Sequence, residues 1–212
     1  MPRVSDAFRE RRRRHVLESA WRCFSREGFH ATSMDQVIAA TGMSSSAVYR
    51  YVHSKEDLID AAAEEALALV GGLLDGLTAG GRVPGPAETI TELVGAVVGR
   101  AVRDEYDLTR IAMQAWAEAL RRPELHARTR ALYTDFRVRL VPIVERWQAD
   151  HLLPVNVPVD DVAATIVTIV PGLIVTHQLL GDLDAHQAVR GLAGLGAALT
   201  AADPTRSPIR SL

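Results

Sequence analysis

Cysteine is nearly missing from this chain of 212 residues, and so is lysine. Cys23 stands alone, so no disulfide can form within the chain, and a reducing, cytoplasmic setting is the expectation. Lys55 is the one lysine, because the other 23 of the 24 basic residues are arginine. No stretch alternates polar and apolar residues as a half-buried strand would. No apolar run separates the N-terminal arginines from Trp21, so a secretory signal is not expected. Catalytic and metal-binding patterns are equally scarce. The seven histidines include no pair at i, i+4 spacing, and neither a G-x-S-x-G nor a P-loop occurs. GLAGLG near the C-terminus has no strand before it and is no dinucleotide fingerprint. Asp160-Asp161 reads as a helix start, and Cys23 as a small buried hydrophobe. These absences argue against an enzyme, and no metal or cofactor is expected.

What is present divides unevenly. Residues 1–55 carry ten basic and five acidic side chains, a net +5, whereas residues 56–212 carry 14 basic and 21 acidic ones, a net −7. A basic head on an acidic body points to a polyanion met by the head alone. A solvated face is the plainer reading of Arg11–Arg14.

Helical periodicity runs through almost every segment, which makes the fold class all-α with about nine helices. The first is expected over 5–27, with Val16, Leu17, Ala20, Trp21 and Phe24 as its apolar stripe and Gly28 as its stop. Ser33 opens the second through a capping box with Gln36, and Gly42 ends it. Ser44 can cap a third helix reaching Val52. Ser54 can cap a fourth, with Asp57 favourable in its first turn. A glycine- and proline-rich loop is expected over 76–86. Helices follow near 87–103, 106–121 and 124–150 (the last bent at Pro142), then over 160–180 and 184–200. The chain thus divides into a three-helix head (1–54), a helical body (55–205) and a frayed tail (206–212).

Three short helices with tight turns and a glycine before the third describe a helix-turn-helix. In that arrangement Ser44, Ser45, Ser46, Tyr49, Arg50 and Tyr51 lie on or near one exposed side, while Val48 and Val52 face inward. Small residues at the start of the third helix allow close approach to base edges in a major groove. Tyrosine hydroxyls reach phosphates, and Lys55 adds a cation beside helix N-terminal amides.

Phe24, Gly28, Thr32-Ser33, Gly42-Met43-Ser44, Val48-Tyr49, Ser54-Lys55-Glu56 and Leu58 together resemble the tetracycline-repressor family of bacterial transcription regulators. The likeness is specific over roughly residues 10–60. It implies that Thr32, Ser33, Tyr49, Tyr51 and Lys55 contact phosphates and that Ser44, Ser45 and Ser46 lie nearest the bases. The chain departs from the family's usual glycine at Ser46, histidine at Tyr51, phenylalanine at Val52 and small residue at Ile38. Past residue 60 the likeness is one of layout, and implies an effector pocket and a dimer surface.

In the body, Met113, Gln114, Trp116, Tyr133, Phe136 and Arg137 combine apolar bulk with polar tips, which suits a mostly apolar effector cavity. His177, inside an apolar helix, could donate to such a ligand. The uncharged run 162–180 has nearly the length of a membrane span, but acidic flanks and internal polar residues argue against one. With the glycine-rich final helix it instead forms half of a symmetric four-helix dimer interface, to which Val162, Ile166, Ile174, Leu192, Leu195 and Leu199 are assigned. The expected protein is a homodimeric repressor that a small-molecule effector releases from a double-stranded DNA operator. A helical binding module or enzyme without gene regulation, and a DNA-binding protein without a ligand, are the alternatives.

Overall fold

The computed structural model describes residues 6–78, 83–100 and 105–201, and these form nine α-helices and no strand. They are α1 (Asp6–Glu27), α2 (Met34–Thr41), α3 (Ser45–Val48), α4 (Lys55–Thr78), α5 (Pro86–Gly95), α6 (Leu108–Ala119), α7 (Pro123–Ala149), α8 (Val159–Leu179) and α9 (Ala185–Ala201), with a π-helical turn (Ala96–Arg100) continuing α5. Most boundaries expected from periodicity and caps hold to within two residues. Ser33 and Gln36 exchange both bonds of the capping box, and Gly42 ends α2 in the left-handed conformation at φ 63°, which favours a residue without a Cβ. The centre of the 76–86 loop, the expected helix end at 101–103 and the whole tail lie outside the described residues.

The third helix is shorter than expected. Only Ser45–Val48 is α-helical, and Tyr51 and Val52 continue it as turns through bonds to the Val48 carbonyl at 2.9 and 3.3 Å. The Ser44 hydroxyl makes no capping bond, and β-branched and aromatic residues propagate a helix poorly. Pro142 and Pro171 lie inside α7 and α8 without ending them.

Two apolar clusters build the molecule. The first joins Val16, Trp21 and Phe24 of α1 with Val37, Val48 and Val52, then runs through Leu58, Ala62 and Ala66 of α4 to Ile111, Ala112 and Ala115 of α6. The expected head–body boundary at residue 55 therefore lies within continuous packing. The second cluster joins α5 and its π-turn to Phe136, Leu140 and Val144 of α7 and to Ile166, Val170 and Ile174 of α8. Among the described residues, α8 is the one helix long and apolar enough to cross a membrane by length and composition. Here its apolar bulk packs against α7 within the second cluster.

Candidate nucleic-acid interface and effector site

The head presents a small polar surface on a rigid base. Val48 and Val52 are buried in the first cluster. Their burial turns Ser44, Ser45, Ser46, Tyr49 and Arg50 outward, and all five are exposed. Tyr49 is 42% exposed although large and mostly apolar, as a phenol that waits for a partner would be. Ser33 is also exposed, at the N-cap of α2. One expected contact changes. Thr32 is 1% exposed, and its hydroxyl donates to the Gly28 carbonyl at 2.8 Å. It closes the turn after α1 and has no hydroxyl to offer a phosphate. Tyr51 is half-buried against the first cluster and lines a cleft with Ser44 and Arg50.

Lys55 begins α4 and donates to the His30 carbonyl at 3.1 Å. That end of α4 is well closed: Asp57 accepts from the His53 amide at 2.8 Å while its own amide donates to the Ser54 hydroxyl at 3.0 Å. The His53 bond, then the Ser54 hydroxyl, hold the Asp57 carboxyl below the usual carboxylate range.

Gln114 is not a pocket residue. From α6 its side-chain oxygen accepts from the Phe29 amide at 2.6 Å, and its nitrogen donates to the carbonyls of Phe24 at 3.1 Å and Arg110 at 3.3 Å. It clamps the α1–α2 turn, whose Gly28 holds φ 90°. One helical turn on, Glu118 meets His30 at 2.7 Å, so α6 grips the segment that also receives Lys55. No composition signal separates a clamping glutamine from a ligand-binding one.

The remaining effector residues split. Phe136 is 1% exposed inside the second cluster, where α7 meets α8, and is core. Arg137, its neighbour, is exposed. His177 is half-buried on α8. Its neighbour Gln178 makes the contacts instead, donating to Asp107 at 2.7 Å and Thr109 at 2.5 Å. Met113 and Trp116 remain half-buried, and Trp116 touches both clusters. Tyr133 lies beside Trp116; burial, only partly offset by that indole, pushes its phenol up to about 12. The Tyr133 hydroxyl is enclosed, with the Trp116 indole near it but no hydrogen bond of good geometry, and the Thr129 hydroxyl, one turn earlier on α7, is likewise enclosed and unpaired. Native proteins seldom leave such groups unpaired. Thr129 has no sequence signature of its own beyond its i, i+4 spacing from Tyr133.

The interface residues also divide. Ile166 and Ile174 are 5% and 1% exposed within the protomer and cannot form an outer face. Val162 is half-buried, Leu192 and Leu195 are exposed, and the Leu199 side chain lies outside the described residues. The open stripe of α8 runs instead through Asp161, Thr165, Thr168, Gly172, Val175 and Leu179, spaced alternately four and three apart as a helix seam requires.

A helix-turn-helix head packed on a helical body with an enclosed polar pair is the architecture of a one-component transcriptional regulator. Residues 16–62 match the family described as bacterial regulatory proteins, tetR family. Residues 86–201 match the C-terminal domain of BetI-type transcriptional repressors. The chain belongs to the tetracycline-repressor family. The HTH-type transcriptional repressor Rv1474c of Mycobacterium tuberculosis is 35% identical over 65 residues, 31% of this chain and 35% of the relative. The chain thus matches about a third of that curated relative's length. Among solved structures, Salmonella enterica GusR superposes with a TM-score of 0.68 at 21% identity, over 90% of this chain and 96% of its own. AibR, solved with isovaleryl coenzyme A and operator DNA, gives a TM-score of 0.61 at 20% identity over 87% and 97%. At these identities the likeness is one of fold.

Proposed function

We propose that the protein is a cytoplasmic, non-enzymatic repressor. Two copies hold a palindromic operator with their heads (1–54) and let go when a small molecule enters the bodies (55–205). The observation that carries this reading is the outward set Ser44, Ser45, Ser46, Tyr49 and Arg50, held rigid from behind by buried Val48 and Val52. Such an edge delivers hydroxyls to bases and phosphates but offers no catalytic pair. A relative described as a repressor, and a neighbour of the same fold solved with operator DNA, support it.

The effector site centres on Met113, Trp116, Thr129 and Tyr133. Two enclosed hydroxyls one helical turn apart on α7, with the Trp116 indole beside one of them, suit an uncharged, largely apolar molecule with hydrogen-bonding groups at one end. Release runs through α6. A ligand against Met113 and Trp116 shifts that helix, and Gln114 and Glu118 carry the shift to the Phe29–His30 turn and hence to Lys55. A mobility-shift assay with the DNA upstream of the protein's own gene tests the reading. Specific binding supports it, and binding only in proportion to total DNA overturns it. Ligand affinity measured with and without that DNA then tests release, because a true effector is weakened by DNA as much as DNA is weakened by it.

A further inference from the structure

We propose a second phosphate-binding site, a cleft between α1 and the recognition turn that receives a backbone phosphate of the same DNA duplex. This rests on the reading of the head as DNA-binding. The cleft has a volume of about 470 Å³, and Phe8, Arg9, Arg12, Ser44, Arg50 and Tyr51 are among its walls. Its arginines differ from Arg13 and Arg14 in one respect. Arg13 is paired with Glu10, and Arg14 with Glu18 and Glu65, whereas Arg9, Arg12 and Arg50 meet no carboxylate among the described residues. Three guanidinium groups around one concavity repel each other until an anion enters. The Arg12 guanidinium also lies over the Phe8 ring, 5.5 Å from its centroid. Such a contact uses none of its N–H groups, so their fork stays available for two phosphate oxygens. Phe8 itself is 40% exposed. Ser44 and Arg50 belong to both the cleft and the base-facing edge, so whatever fills the cleft lies against the DNA already held there.

The chemistry recognised is a phosphate, which a free nucleotide could also supply, and the test separates the two sources. Operator affinity is measured against salt by fluorescence anisotropy for the wild type, for R9Q/R12Q and for R13Q, with a mismatched operator alongside. The expected result is a log–log slope lower by about one ion in R9Q/R12Q, with the preference over the mismatched duplex unchanged. Raising salt from 50 to 200 mM should then weaken the wild type about three- to fourfold more than the double variant. R13Q should keep its slope to within about half an ion, because Arg13 is already paired. All three arginines are exposed, and thermal melting confirms that the variants fold.

An unchanged slope in R9Q/R12Q overturns the cleft site while leaving the DNA reading intact. An equal loss in R13Q overturns it as well, since diffuse charge would then explain the effect. Specific operator binding absent in the wild type fells the DNA reading and this site with it. ATP or inorganic pyrophosphate binding to the free protein at micromolar concentration, lost in R9Q/R12Q while the DNA slope stays unchanged, assigns the cleft to a free anion and overturns the DNA-phosphate assignment.

Discussion

Tyr133 shows how much a single hydroxyl can reveal. Burying it without a partner costs about 1–3 kcal/mol, a cost that selection for stability alone would remove. Tyr133→Phe should therefore stabilise the ligand-free protein, by about 1 kcal/mol in chemical denaturation, while weakening effector binding. If the variant is less stable, the hydroxyl has a partner and is no ligand anchor. The substitution should also change alkaline behaviour. The folded phenol holds its proton up to about 12, and the unfolded one releases it near 10. Between those values the unfolded chain binds fewer protons, so stability falls as pH rises. Tyr133→Phe should flatten that fall. On the head, Lys55→Ala and Tyr49→Ala should weaken binding to all duplexes alike, whereas Ser45→Ala should alter which sequence is preferred. A sequence-selective loss in Lys55→Ala would move that residue to the bases.

At the scale of elements, α4 and α6 compete as the path between body and head. Small residues in α4 suggest from sequence that it could slide at little packing cost. In the structure its Asp60 is bridged to Arg122 and its Glu64 to Arg128, both at 2.8 Å, and its Glu65 to Arg14 at 3.3 Å. A sliding α4 would have to break or carry all three, whereas α6 holds the α1–α2 turn directly through Gln114 and Glu118. Gln114→Ala should leave ligand affinity in the free protein near its original value and reduce the effect of ligand on operator binding several-fold. Full coupling in that variant, measured as the ratio of operator affinities with and without ligand, would return the path to α4. Much of this architecture is legible in the sequence, because caps, glycine stops and helical spacing are local. The roles of Gln114, Phe136 and Ile174 are not. Each depends on which neighbour a helix face meets, and an amphipathic pattern does not name the neighbour.

For the whole molecule, the same ambiguity bears on how the two copies of the proposed dimer would meet. Sequence favours the bulkiest residues of the last two helices, but Ile166 and Ile174 are spent on the protomer's own core. The stripe left open on α8 is small and modestly apolar, and it leads to Val175 at 38% and Leu179 at 69% exposure. On α9, Leu192 and Leu195 are exposed as well. Glycine in a helix interior costs roughly 1 kcal/mol relative to alanine. A Cβ added at Gly172, Gly191 or Gly194 would nonetheless meet nothing within 4 Å. The protomer gains nothing from these glycines, whereas a second copy packed closely against them would. Val175→Glu and Leu195→Glu should therefore yield folded monomers with unchanged helicity and lost operator binding, because half-sites about 34–36 Å apart need two linked heads. Ile174→Glu should instead unfold the body, since it buries an unpaired charge. Light scattering and circular dichroism together separate these outcomes. A dimer that survives both exposed-face substitutions would place the interface elsewhere on the body, even with operator binding intact.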